Sequence, residues 1–148
     1  MALKFYQERS QPYGCFSNFS KHGFTLDGKH WQTAEHYFQA MKYQGQPRED
    51  TIQQAPDPMT AKQLGGDRRF PIRPDWEAVK DDLMHRAVRA KFEQHPDIRA
   101  VLLGTGDEEL IENAPNDYYW GCGAKGTGKN RLGQVLMEVR DALRVEKQ

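Results

Sequence analysis

Apolar positions recur at helical spacing through most of the chain. Leu132, Val135, Leu136, Val139 and Leu143 fall on one side of a C-terminal amphipathic helix. Trp76, Val79, Leu83, Ala87 and Ala90 do the same in WEAVKDDLMHRAVRAKFEQH, which Asp75 caps and Pro96 stops. Thr33 stands as the N-cap of a helix running through AEHYFQAMKYQ to Gly45. Pro47, Pro56 and Pro58 punctuate one or two short helices, the second from Thr60 to Leu64 before Gly65-Gly66. DIRAVLLGTG reads as a helix ended by glycine, and DEELIENA as a short one. GFTLDGKHW reads as a β-hairpin, with Asp27-Gly28 as its two-residue turn. The pattern predicts a mainly α fold with a small antiparallel hairpin, in one domain over residues 1–148. The alternation of strand and helix that builds a doubly wound sheet is absent.

Charge and composition narrow the function classes. Lys plus Arg and Asp plus Glu both number 21, so no global field favours duplex binding or a membrane surface. A mean hydropathy of -0.89 describes a soluble protein, and no run approaches the roughly 20 apolar residues of a membrane span. Two cysteines, Cys15 and Cys122, make no disulfide framework, and the N-terminus lacks an apolar signal core, which points to the cytoplasm. His22, His30, His36, His85 and His95 have no metal-ligand spacing, so neither a catalytic metal nor a cofactor is expected. His30 and His36 read as hydrogen-bonded structural histidines.

Two stretches carry candidate chemistry. GAKGTGKN, Gly123 to Asn130, has the glycine and lysine spacing of a P-loop, but Asn130 stands where the magnesium-binding Ser or Thr belongs. The preceding NAPNDYYWG cannot be a buried parallel strand, which excludes a triphosphatase of that kind. Gly121, Gly123, Gly126, Gly128 and Gly133, with Lys125, Lys129 and Arg131, lead into the last helix. They read either as a phosphate seat at its N-terminus or as a flexible loop with solvated lysines. In WQTAEHYFQAMKYQ, Glu35, Phe38, Gln39 and Lys42 share one helix face, with Glu35 and Lys42 about 10 Å apart along the axis. This is either a groove lined by carboxylate, aromatic, amide and amine, or an ordinary first-turn acid with a solvated lysine.

FYQERSQPYGCFSNF, FTLDGKHWQTAEHYFQAMKY, WEAVKDDLMHRAVRAKFEQH and NDYYWGCGAKGTGKNRLGQVLMEVR, in that order, resemble the NADAR or YbiA-like family from about Phe5 to Leu143. The resemblance implies a compact, mainly helical fold and an N-glycosidase that cleaves ribose from a nitrogen base. It implies two substrate classes, phosphoribosylamino-pyrimidine intermediates of riboflavin synthesis and ADP-ribose attached to guanine. Glu35 matches the family's catalytic carboxylate, and Trp76 and Asp117 match positions linked to activity. Lys42 matches the lysine of the same helix motif, a candidate for a Schiff base with the ribose, with Lys80 and Lys91 as alternatives. Ser17, Asn18 and Phe19 of GCFSNF, Phe38, Gln39, Trp120, Gly121, Gly123 and Asn130 complete the expected substrate contacts. The expected partner is a small nucleotide or an ADP-ribosylated molecule, with a modified nucleic acid held by Lys62, Arg68, Arg69 and Arg73 as a further candidate. The competing reading is a module that binds ADP-ribose without turning it over.

Overall fold

Among the described residues strands pair in two short ribbons, and α-helices supply most of the other regular structure. The structure, a computed structural model, describes residues 2–147. In chain order it holds β1 (Ala2–Phe5), a 3-10 turn (Tyr13–Phe16), β2 (Phe24–Leu26), β3 (Lys29–Trp31), α1 (Ala34–Met41), α2 (Pro47–Gln53) and α3 (Pro58–Gly65). There follow α4 (Trp76–Gln94), α5 (Pro96–Gly104), β4 (Glu109–Glu112) and α6 (Arg131–Lys147). Residues 21–91 pack as one unit, and residues up to 20 with those from 92 onward as another.

In the first unit the predicted hairpin forms, with Phe24 opposite Trp31 in an antiparallel register. Asp27 and Gly28 take positive φ of 54° and 78°, the left-handed pair that a type I′ turn requires. The Tyr37 ring meets Trp31 edge-on at 5.3 Å, which seats α1 against the hairpin. Thr33 caps α1 by accepting the His36 N–H. Its hydroxyl hydrogen then points to His36 Nδ1 at 2.8 Å, so Nε2–H donates to the Ala55 carbonyl at 3.0 Å. The ring is fully buried and neutral, and burial pushes its pKa below 6.5 against the backbone hydrogen bond and Asp57. A folded pKa below the unfolded one contributes stability that is complete above about pH 6.5 and is lost as pH falls from there through the lower folded value. Urea titrations at pH 7.5 and 5 are expected to show this loss, and His36→Gln is expected to remove His36's share of it.

α1 ends at Met41, short of the expected Gly45. Gly45 has a φ of 82° and donates its N–H to the Glu49 carboxylate at 2.8 Å, so the chain has already turned toward α2. α3 begins at Pro58, because Asp57 accepts the Thr60 N–H at 2.7 Å and proline suits the first helical position. Asp75 precedes α4 as expected, but its carboxylate is bound by Arg73 at 2.7 Å.

In the second unit β1 and β4 pair in parallel, Ala2 with Glu109 through Phe5 with Glu112. DEELIENA is therefore a strand over Glu109–Glu112 instead of the expected short helix. Its apolar run is too short for periodicity to choose, and the N-terminal strand supplies the partner that decides. On β4, Asn130 Oδ1 accepts the Glu112 N–H at 2.9 Å, and Nδ2 donates to the Leu110 carbonyl at 2.8 Å. Asn130 sits at φ 53°, a conformation asparagine tolerates, while its carbonyl takes the Gln134 N–H as α6 begins. Asn130→Ala is expected to cost about 2–4 kcal/mol, through two unmet backbone groups and a strained φ, read as a lower thermal midpoint.

α6 buries the predicted Leu132, Val135, Leu136, Val139 and Leu143. Arg140 of the same helix donates to Thr105 Oγ1 at 2.9 Å and to the Glu108 carbonyl at 2.8 Å, closing the end of α5. Phe16 of the 3-10 turn lies between Phe5 and Phe92, at 5.6 and 6.0 Å between ring centres.

Candidate functional site

The shared face of α1 becomes a set of contacts within the first unit. Glu35 is buried in the first turn, and Gln39, one turn on, donates Nε2–H to Glu35 Oε2 at 2.8 Å. Phe38 packs on Trp76 at 5.0 Å between ring centres. Trp76 is 6% exposed, so the flat face expected to receive a base is largely covered, and the ring serves as a wall. Lys42 Nζ lies 5.8 Å from that ring and donates to the Gly65 carbonyl at 3.2 Å. Burial lowers the Lys42 pKa below 10.5, with Arg68 acting in the same direction and the Glu35 charge opposing. Lys42 is thus half-buried and hydrogen-bonded instead of freely solvated, and this face of α1 combines a buried carboxylate with an amine whose pKa burial lowers.

In the sequence Gly65 marks only the stop of a short helix. Its carbonyl is the anchor of Lys42, and the Leu64 carbonyl beside it accepts from Arg48 Nη2 at 2.9 Å. The Arg48 guanidinium carbon lies over the Phe70 ring, 3.6 Å from its centre. The only sequence signal for this role was the Gly65-Gly66 pair.

The remaining expected residues lie in the second unit. Ser17 is buried and accepts the Phe19 N–H at 3.1 Å, which shapes the GCFSNF loop; Asn18 and Phe19 are half-buried. Asp117 Oδ1 accepts the N–H groups of Tyr119 at 3.0 Å and Trp120 at 2.8 Å, so this carboxylate also builds its own turn. Trp120 is half-buried and stands edge-on to Tyr119 at 4.9 Å.

The glycine run is zipped onto the preceding segment. Lys129, Asn130, Arg131 and Leu132 donate their N–H groups to the carbonyls of Tyr118, Gly121, Tyr119 and Trp120, and Gly128 donates to Cys122. These N–H groups, expected to face a phosphate, are spent on carbonyls, and the Asn130 side chain is spent on β4. Gly121 and Gly123 permit close approach: a methyl group on Gly121 would lie 2.8 Å from Ala114 Cβ, and one on Gly123 would overlap the Tyr118 ring. Any contact of this loop with an anion falls to groups other than those N–H donors.

Two of the four cations in the basic cluster are paired with carboxylates. Arg69 pairs with Asp67 at 2.7 Å, holding that carboxyl down to about 2, and Arg73 pairs with Asp75. Among the described residues no group of three His, Cys, Asp or Glu side chains is placed to hold a metal ion, and no helix is long and apolar enough to cross a membrane.

The NADAR domain model matches residues 4–144. N-glycosidase YbiA of Escherichia coli (strain K12) is 48% identical over 145 residues, covering 98% of this chain and 90% of that protein. The riboflavin biosynthesis protein PYRR, chloroplastic, of Zea mays is 38% identical over 146 residues, covering 88% of this chain and 23% of that protein. The NMR structure of E. coli YbiA superposes with a TM-score of 0.92 at 47% identity, over 99% of this chain and 87% of the other. Sequence and fold agree over nearly the whole length, and this chain belongs to the NADAR domain family.

Proposed function

We propose that this protein is an N-glycosidase that hydrolyses the bond between a ribose and a nitrogen base, with Glu35 as its catalytic carboxylate. The observation that carries the reading is the buried Glu35, oriented by Gln39 on the helix face that also presents Lys42. The relatives named N-glycosidase support the reaction class.

Breaking the C–N bond builds positive charge on the anomeric carbon and sends the bonding pair to the base. A carboxylate near the sugar stabilises that cation and takes a proton from the attacking water as its oxygen bonds to the anomeric carbon, and that proton passes on through solvent to the departing nitrogen. Lys42 either attacks the anomeric carbon as a neutral amine, displacing the base and forming an imine that water then hydrolyses to ribose and free lysine, or, protonated, holds the negative charge on phosphate or base.

The substrate that fits best is a small phosphoribosylamino-pyrimidine, in the cytoplasm. The maize relative is named for riboflavin biosynthesis, and Arg69 and Arg73 spend their charges on aspartates instead of a nucleic-acid strand. ADP-ribosylated guanine is the second substrate class. The test is base release from phosphoribosylamino-pyrimidine and from ADP-ribosylated guanosine, measured in parallel with Glu35→Gln as control. Release from the first alone supports the preferred substrate, and release from the second alone replaces it. Saturable binding with no release from either makes the protein a binding module.

A further inference from the structure

We propose that Gly65 is a positioning residue: its bare Cα seats the Gln39 amide while its carbonyl anchors Lys42, so Glu35 and Lys42 are held in one fixed relation. The inference rests on the reading of Glu35 and Lys42 as the reacting groups and adds the device that aligns them.

Gly65 closes α3, and no left-handed φ requires glycine there. The requirement is space. A methyl group on Gly65 would overlap Gln39 Oε1 and come within 2.8 Å of Gln39 Cδ and 2.9 Å of Gln39 Cβ. Because the root of the side chain is approached as well as its tip, a rotamer change alone does not make room. The Gln39 Oε1 atom is buried without a hydrogen-bond partner, so it gives up an acceptor's partner in order to place Nε2 on Glu35. On the same residue, the carbonyl accepts from Lys42. Arg48 fixes the preceding carbonyl and rests on Phe70, so the peptide that carries both functions is braced from behind. Ala61, one turn earlier on α3, is a small, fully buried residue, and α3 packs directly on α1.

The test compares Gly65→Ala, Gln39→Ala and the double variant, with Gln39→Met as a variant that leaves Gly65 untouched. Gly65→Ala is expected to lower kcat at least tenfold with KM within threefold, and Gln39→Met to lower kcat with the thermal midpoint retained. In the Gln39→Ala background, Gly65→Ala is expected to add less than threefold to the loss in kcat, because no amide remains to be displaced from Glu35; the approach to Cβ at 2.9 Å persists and is read in the thermal midpoint. In 15N-labelled protein, the Gln39 side-chain amide resonance is expected to move toward that of a free amide in Gly65→Ala. This readout needs no turnover, so it separates failure of this inference from failure of the catalytic assignment. An unmoved resonance, full activity in Gly65→Ala, or a loss that adds in full to that of Gln39→Ala overturns the proposal. If Gly65→Ala does not fold, Gln39→Met decides: full activity there overturns it.

Discussion

Glu35→Gln is expected to lower kcat for base release by about 10²–10⁴-fold, the range attributable to a positioned acid or base. The amide has nearly the volume of the carboxylate but cannot accept water's proton or offset positive charge on the ribose carbon. Gln39 donates to Glu35 Oε2 at 2.8 Å, and a glutamine at position 35 still offers an oxygen to that donor, so the local fold is expected to survive. Ligand affinity is then expected to stay within about tenfold, or 1.4 kcal/mol, because the loss falls on the transition state. Single-turnover rates and a separate binding isotherm decide the matter. Full activity in the variant removes Glu35 from the mechanism, whereas a large loss of affinity with kcat retained makes it a binding group.

Lys42 is expected to be nearly as costly to lose. Lys42→Met keeps an apolar stem beside Trp76 and removes the amine, and is expected to lower kcat/KM by about 10²-fold or more, as for other groups aimed at developing charge. The pH profile separates its two roles. Burial holds its pKa below 10.5, so the neutral amine is reached at lower pH than on a solvated lysine. If the amine attacks, the rate rises with pH through that lowered pKa and then levels. If the ammonium clamps an anion, the rate falls over the same range. Lys42→Arg sharpens the distinction, since a guanidinium stays charged throughout and cannot form an imine. Residual activity in Lys42→Arg favours the clamp. A borohydride-trapped ribose on Lys42, lost in Lys42→Arg, favours the nucleophile.

The α1 constellation was legible because helical geometry is local. Glu35, Phe38, Gln39 and Lys42 share a face from their spacing alone, and the structure joins Glu35 to Gln39 on that face. The hairpin at Asp27-Gly28, the cap at Thr33 and the apolar stripe of α6 were legible for the same reason, since each depends on neighbours within a few residues. The sequence by itself thus determined most helices, the turn chemistry and the candidate carboxylate and lysine.

Tertiary structure decided what depends on partners far along the chain. Glu109–Glu112 became a strand because β1, more than 100 residues earlier, pairs with it. The glycine run looked like an anion cradle because spacing does not reveal where N–H groups donate, and here they meet the carbonyls of residues 118–122. Gly65 looked like punctuation, yet it receives Lys42 from 23 residues away and leaves room for Gln39. Periodicity records which way a side chain leaves its own backbone. Hydrogen-bond partners and steric room are properties of two segments at once, and only their packing assigns them.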